Sequence, residues 1–110
     1  MNLRRANKIV NKASGVNMFI TESVLDRNIV DIGWGNGYVD VPNSHPIFGV
    51  HYDEIDVDVH GGLTYSQFID GKWRVGFDTG HYGDTLKRWP QEKVLEETTR
   101  LFKQIVNMGK

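Results

Sequence analysis

The clearest pattern in the chain is an apolar stripe at helical spacing near its end. Pro90, a residue suited to the first helical position, precedes the stripe, and Gly109 follows it. The members of the stripe are Val94, Leu95, Thr98, Leu101, Phe102, Ile105 and Val106. The spacing predicts a C-terminal helix that packs its apolar face on a sheet.

A weaker helical pattern opens the chain. Its apolar positions are Leu3, Ala6, Ile9, Val10 and Ala13, and Gly15 is a plausible C-terminal stop. The spacing predicts a short N-terminal helix. Its basic residues, Arg4, Arg5, Lys8 and Lys12, are expected on the solvated face.

The middle of the chain predicts strands and hairpins. Residues 16–21 have strand character, and residues 28–41 predict a hairpin that turns at Asn36-Gly37, a pair suited to a type I′ turn. A second hairpin turns at Asp70-Gly71, with Phe68 opposite Trp73. Together the two hairpins predict a core of Ile32, Trp34, Val39, Val41, Phe68, Trp73, Val75 and Phe77 under the C-terminal helix.

These elements predict one α+β domain over residues 1–110, a common domain size. We expect a small, mainly antiparallel sheet of about five strands, packed by the C-terminal helix and accompanied by the short N-terminal one. With no cysteine in the chain, disulfides and thiolate metal sites are excluded. No apolar run approaches the ~20 residues of a membrane span, and nothing resembles a signal peptide, so the expected location is the cytoplasm.

Charge is distributed unevenly along the chain. Residues 40–84 hold eight acids and two bases, a net −6, so the rest carries +5 against the overall −1. All four histidines also lie in this acidic region. A basic stripe for nucleic acid is missing, so a nucleic-acid partner is not expected.

The candidate chemistry lies in this acidic region. Residues 55–60 alternate strictly, with Ile55, Val57 and Val59 on one side and Asp56, Asp58 and His60 on the other, as in a strand. Carboxylates beside an imidazole can ligate a cation, although a charged strand edge is an equally good explanation. In the second hairpin Asp78 is expected level with Leu63, just after Gly61-Gly62. The sequence therefore predicts that Asp58, His60, Asp78 and His81 converge at one end of the sheet.

Further residues complete the predicted ligand site. Glycine loops can offer backbone N–H groups to a ligand, and tyrosines can stack on one. The predicted ligand-binding residues are Tyr38, His45, Asp56, Asp58, His60, Gly61, Gly62, Thr64, Tyr65, Arg74, Asp78, His81 and Asp84. For Asp84, capping of a following helix is the plain alternative. For His45 the alternative is a loop surface, and for Tyr65 it is cover for Gly76.

Several of these runs carry a resemblance. They are Gly37-Tyr38-Val39, Val41-Pro42, His45-Pro46, Val57 to Tyr65, Gly76-Phe77-Asp78, His81 and Gly83-Asp84. In them the chain resembles an uncharacterised family of small phage and prophage proteins, over about half its length. Thr79-Gly80 departs from that family's Cys-Ala, so no cysteine role carries over. The resemblance implies an accessory protein in the cytoplasm of an infected bacterial host cell.

Three functions are compatible with these observations. The first is a non-enzymatic ligand-binding protein that sequesters a host nucleotide immune signal, such as a cyclic nucleotide, in an anti-defence role with no cofactor. The second is a divalent-metal-dependent hydrolase or phosphodiesterase that binds its cation through Asp58, His60, Asp78 and His81. The third is a protein-binding inhibitor with an acidic face. Ligand binding ranks narrowly first, and because so small a chain often shares a pocket between subunits, we expect a homo-oligomer.

Overall fold

A computed structural model describes residues 5–11 and 14–110, with side chains described from residue 14. The elements are β1 (Arg5–Asn11), β2 (Val16–Glu22), β3 (Gly35–Val41), a single 3-10 turn (Tyr52–Glu54), β4 (Tyr65–Ile69), β5 (Lys72–Asp78) and α1 (Gln91–Met108). The strands form one sheet in the order β1-β2-β3-β5-β4, and every neighbouring pair is antiparallel. The α+β class, with an antiparallel sheet packed by a C-terminal helix, is confirmed.

The core lies between the sheet and α1. The helix packs across β2 and β3. Buried members of its apolar stripe are Val94, Thr98, Leu101, Phe102 and Ile105, and the sheet contributes Val16, Met18, Ile20, Val39, Val41, Trp73, Val75 and Phe77. Pro90 takes the N-cap position of α1, and Gly109 takes the C-cap.

The predicted hairpin at Asp70-Gly71 is confirmed. Phe68 pairs with Trp73, and Tyr65 pairs with Gly76. Asp70 and Gly71 have φ of 50° and 78°, as a type I′ turn requires. Phe68, however, is 57% exposed and not buried as predicted, because β4 is an edge strand beyond the reach of α1.

The predicted N-terminal helix is wrong within the described residues. Arg5–Asn11 is strand β1, with Ile9 paired to Met18 of β2. Gly15, at φ 73°, sits in the turn between the two strands. A helix of about eleven residues is marginal on its own, whereas pairing with β2 satisfies the backbone. Residues 1–4, 12 and 13 of this prediction lie outside the described residues.

The predicted hairpin at Asn36-Gly37 is also wrong. Both residues lie inside β3, which pairs with β2 on one side and β5 on the other. A Cβ at Gly37 would collide with the hydroxyl of Thr98 and the ring of Phe77, so this glycine allows α1 to approach the sheet closely. Ile32 and Trp34 lie in the loop before β3 and are half-buried.

The alternating segment 55–60 is not a strand. Ile55 and Val59 are buried while Asp56 and Asp58 are exposed, so the predicted alternation holds. The segment lies along α1, where the Gln104 side chain donates to the Asp58 carbonyl at 2.7 Å and accepts from the Asp58 N–H at 2.8 Å. A helix side chain therefore occupies the backbone groups that a neighbouring strand would have bonded.

Candidate functional site

A cluster of four side chains forms where β5 ends, and we call it the His/Asp cluster: His60, Asp78, His81 and Asp84. His60 begins the turn that includes Gly61 and Gly62, and the other three lie at the end of β5 and in the loop after it. The predicted convergence of His60, Asp78 and His81 at one end of the sheet is what the structure shows.

Asp84 is the centre of the cluster. Its carboxylate is buried, with its oxygens 2.9 and 3.0 Å from Nε2 of His60. The same carboxylate accepts the backbone N–H of His81 at 2.9 Å, and the Asp84 N–H bonds the His81 carbonyl. These bonds close the loop tightly and fix the carboxylate against His60. No helix begins at Asp84, so the alternative that it caps one does not hold.

His81 turns Nδ1 into the cluster. This atom is buried and makes no hydrogen bond, yet it lies 3.3 Å from Oδ1 of Asp78 and 3.5 Å from Oδ2 of Asp84. A buried polar atom left unbonded costs about 1–3 kcal/mol, so its position between two carboxylates requires an explanation. A proton on Nδ1 or a cation beside it would satisfy all three groups.

Backbone geometry at the 60–62 turn makes room for His81. Gly61 has φ 67°, and a Cβ there would lie 2.5 Å from Cε1 and 2.9 Å from Nδ1 of His81. Gly62 has φ 77°, but a Cβ there would meet nothing within 4 Å. Gly61 thus serves both the turn and the imidazole, whereas Gly62 serves the turn alone.

Asp78 is held from two further sides. Thr64 donates its hydroxyl to Oδ2 at 2.9 Å, and the Gly80 N–H donates to Oδ1 at 2.9 Å. The role found for Thr64 is therefore to orient this carboxylate.

Residues of α1 and the loop before it position His60, and the sequence did not single them out. The ring of Trp89 lies 4.1 Å from the His60 ring, and the Glu97 carboxylate accepts the His60 N–H at 2.7 Å. Hydrogen bonds from Arg100 lower the pKa of Glu97, and the His60 N–H adds to that effect against burial. Trp89 and Glu97 lie outside the acidic region, and no local motif marks either residue.

Asp56 and Asp58 do not join the cluster, which corrects the predicted cation set. The Asp58 side chain is 87% exposed and accepts from Arg100 at 2.9 Å. Among the described residues, the group able to hold a metal ion is His60, His81 and Asp84, whose ligand atoms lie within 4.8 Å of one another. Asp84 thus takes the place expected of Asp58.

His45 does not reach the cluster either. Its ring is buried at the other end of α1, where Nε2 lies 2.7 Å from the Ile105 carbonyl and Nδ1 accepts the Ile47 N–H at 3.1 Å. A neutral ring with its proton on Nε2 satisfies both contacts, because Nε2 then donates to the Ile105 carbonyl and Nδ1 accepts from Ile47. His45 therefore anchors its loop to the helix.

Tyr38, Tyr65 and Arg74 form a separate layer on the sheet face opposite α1. Tyr38 covers Gly76, because a Cβ on Gly76 would collide with the Tyr38 ring. The two tyrosine rings meet edge-on at 5.4 Å. Burial raises the pKa of Tyr38, with a smaller contribution from Tyr65. Arg74 donates to both carboxylate oxygens of Asp40, at 2.7 and 2.9 Å.

Within residues 5–11 and 14–110, no helix has the length and apolar character needed to cross a membrane. Comparisons of the chain with protein-family models, curated proteins and solved structures find no match. The resemblance to small phage proteins therefore stays a prediction.

Proposed function

We propose that the His/Asp cluster binds a divalent transition-metal ion and that the protein is a metal-dependent hydrolase. The observation that supports this most directly is the buried, unbonded Nδ1 of His81, which faces two carboxylates beside a second imidazole. Imidazole nitrogen and carboxylate oxygen are the ligands that zinc and its neighbours accept in the absence of cysteine.

The spacing of the ligand atoms supports a metal of this class. Ligands about 2.1 Å from a tetrahedral zinc ion lie about 3.4 Å apart. Nδ1 of His81 is 3.3 Å from Asp78 and 3.5 Å from Asp84. The separation of His60 and Asp84 is shorter, at 2.9 Å, and matches a hydrogen bond. A metal would replace that bond after a small shift of either group.

Solvent access favours a catalytic site over a structural one. Of the three described residues able to hold a metal ion, His60 and His81 have side chains that are 25% and 35% exposed, and Asp84 is 6% exposed. Three protein ligands with an open side leave a position for water, and zinc lowers the pKa of bound water to about 7. A metal ion held there would supply activated water for the hydrolysis of ester or phosphoester bonds.

The residues that hold His60 and Asp78 in place also fit this proposal. Ligating histidines usually have partners that fix the ring, and loss of such a partner typically lowers metal affinity about 10–100-fold. Trp89 and Glu97 constrain His60, while Thr64 and Gly80 orient Asp78.

Sequestration of a host nucleotide gains less support from the same residues. An anionic ligand needs a cation or free backbone donors, and Arg74 is committed to Asp40. The rings of Tyr38 and Tyr65 pack on each other, with centroids 5.4 Å apart, and burial raises the pKa of Tyr38. Nucleotide sequestration therefore stays a prediction and ranks second.

Metal binding is tested first, by isothermal titration of the metal-free protein with Zn²⁺ and by the visible spectrum of the Co²⁺ form. Wild type should bind one ion per chain, and His81→Ala should weaken binding by about 100-fold or more. His51→Ala is the matched control, because His51 is also a histidine beside an aspartate but is 56% exposed and outside the cluster. Equal loss in both variants, or no binding by wild type, would refute the metal site.

Hydrolysis is tested on the metal-loaded protein with p-nitrophenyl acetate and bis-p-nitrophenyl phosphate. Turnover should require the ion, stop with EDTA, and disappear in Asp84→Asn. Asp58→Asn should retain it, because Asp58 bonds Arg100 outside the cluster. Tight metal binding without turnover of either ester would contradict the hydrolase assignment and leave a metal-dependent binding protein.

A further inference from the structure

Exposed apolar side chains are concentrated on two loops beside the His/Asp cluster. Seven large hydrophobic residues are exposed in the part of the chain whose side chains are described. Six of them lie in residues 23–32 and 80–88, namely Val24, Leu25, Ile29, Val30, Tyr82 and Leu86. Ile29 is 80% exposed and Tyr82 is completely exposed. Exposed apolar side chains concentrated in this way usually mark an interaction surface.

The two loops form one surface, which we call the apolar rim. The Asp31 carboxylate accepts the Leu86 N–H at 3.4 Å, and the Gly33 N–H bonds the Thr79 carbonyl at 2.8 Å. Val24 and Leu25 also line a shared cavity of about 270 Å³ with Gly80. The rim is therefore a joint surface of both loops.

The first loop is held in shape from within. Arg27 donates from its guanidinium to the carbonyls of Ile32, Gly33 and Trp34, at 2.7, 2.9 and 3.1 Å. These bonds fix the backbone while the apolar side chains stay exposed. A prearranged apolar surface loses less entropy when a partner covers it.

The charges of the rim point to the partner. The first loop carries exposed Asp26 and Asp31 beside the half-buried Arg27, whose guanidinium is bonded to the loop's own carbonyls, and the second carries exposed Lys87 and Arg88. A two-fold axis can place the first loop of one copy against the second loop of its partner, and the symmetry then repeats that contact. Each acidic loop would then face a basic loop around an apolar centre.

We propose that the apolar rim is the contact between two copies of this chain, related by a two-fold axis. Stable interfaces cover about 800 Å² and 20–30 residues per partner. That area is about an eighth of the 6605 Å² surface of the chain. The two loops supply 13 exposed residues, so the interface would also include residues next to them. The dimer would also bring the partner's loops beside the loop that carries His81 and Asp84.

Sedimentation velocity and light scattering test the interface, with EDTA present so that no metal bridges two copies. Wild type should have twice the 12.6 kDa chain mass at micromolar concentration. Ile29→Glu should weaken dimerisation at least 100-fold. Phe68→Glu is the matched control, since Phe68 is 57% exposed on β4, outside the rim, and its variant should remain dimeric.

Charge reversal tests the pairing of the loops. Asp26→Lys with Asp31→Lys, and Lys87→Glu with Arg88→Glu, should each give a monomer, because each places like charges face to face. Mixing these two variants should restore a 1:1 dimer, since reversed loops then meet opposite charges at both contacts. Circular dichroism checks that each variant is folded. If the double variant Asp26→Lys with Asp31→Lys does not fold, the interface is tested by Ile29→Glu and by the double variant Lys87→Glu with Arg88→Glu.

Three outcomes would overturn the proposal. They are a wild type that stays monomeric to about 0.5 mM, a dimer that survives Ile29→Glu, and a mixture of folded charge variants that stays monomeric. None of these outcomes depends on metal, so the dimer proposal and the hydrolase proposal are tested independently of each other.

Discussion

Two adjacent glycines allow the position of His81 to be tested separately from the turn that surrounds it. Gly61 and Gly62 both have positive φ, at 67° and 77°. Alanine in that region costs about 1–2 kcal/mol at either position. The two sites differ in one respect, because only the Cβ at position 61 would meet the His81 ring.

The size of that difference follows from the contact distances. A Cβ at residue 61 would lie 2.5 Å from Cε1 and 2.8 Å from Nε2 of His81, against the usual ~3.5–4.0 Å for carbon contacts. The ring must therefore move by about 1 Å, which is enough to misplace a metal ligand. We expect Gly61→Ala to weaken Zn²⁺ binding about 10–100-fold, the range for loss of an outer-shell partner.

Gly62→Ala should lose the same ~1–2 kcal/mol of stability from its backbone and keep the wild-type affinity for Zn²⁺. Urea denaturation in EDTA measures the free energy of unfolding of both variants, and calorimetric titration measures the metal affinity. Equal affinities in the two variants would refute the conclusion that Gly61 exists to admit the His81 ring. Unchanged stability in both would refute the positive φ of the turn.

The remaining predictions concern the frame around the site. His45→Ala should lower the free energy of unfolding by about 2–4 kcal/mol, because it leaves the Ile105 carbonyl unpaired and opens a cavity, and urea denaturation against wild type measures it. Arg74→Ala should cost about 3–5 kcal/mol by stranding the buried carboxylate of Asp40, and a loss below about 1 kcal/mol would contradict that burial. Because the pKa of Tyr38 is raised on folding, its contribution to stability is complete below pH ~10 and is lost as pH rises through the folded value. Tyr38→Phe should therefore lose less stability than wild type in alkali, as measured by urea denaturation at increasing pH.

Some elements could be predicted because their determinants are local. The apolar stripe of α1 and the Asp70-Gly71 turn each specify a conformation within a few residues, and both appear as predicted. The same is true of the alternation over 55–60, in which Val59 is buried and Asp58 exposed. A pattern of this kind states which side chains share a face. It does not state which element that face meets.

The candidate site shows the same limit. The hairpin register placed Asp78 near the 60–62 turn, and His60, Asp78 and His81 do come together. Asp58 and Asp84 were equally plausible carboxylates by type and spacing. Arg100, 42 residues further along the chain, bonds Asp58, while the loop after β5 folds Asp84 under His60. Contacts between residues so far apart have no local pattern.

The sequence alone determined the α+β class, the C-terminal helix, the second hairpin and the region of the candidate site, because each depends on neighbouring residues or on a repeat of two or 3.6. Only the tertiary structure decided the rest. Asn36-Gly37 favours a turn by itself, yet it lies within β3 because β2 and β5 pair on both sides and α1 needs the space above Gly37. Residues 5–11 carry a helical spacing, yet they form β1 because pairing with β2 satisfies their backbone. In both places, hydrogen bonds and packing with other elements outweigh a local preference of about 1 kcal/mol or less per residue.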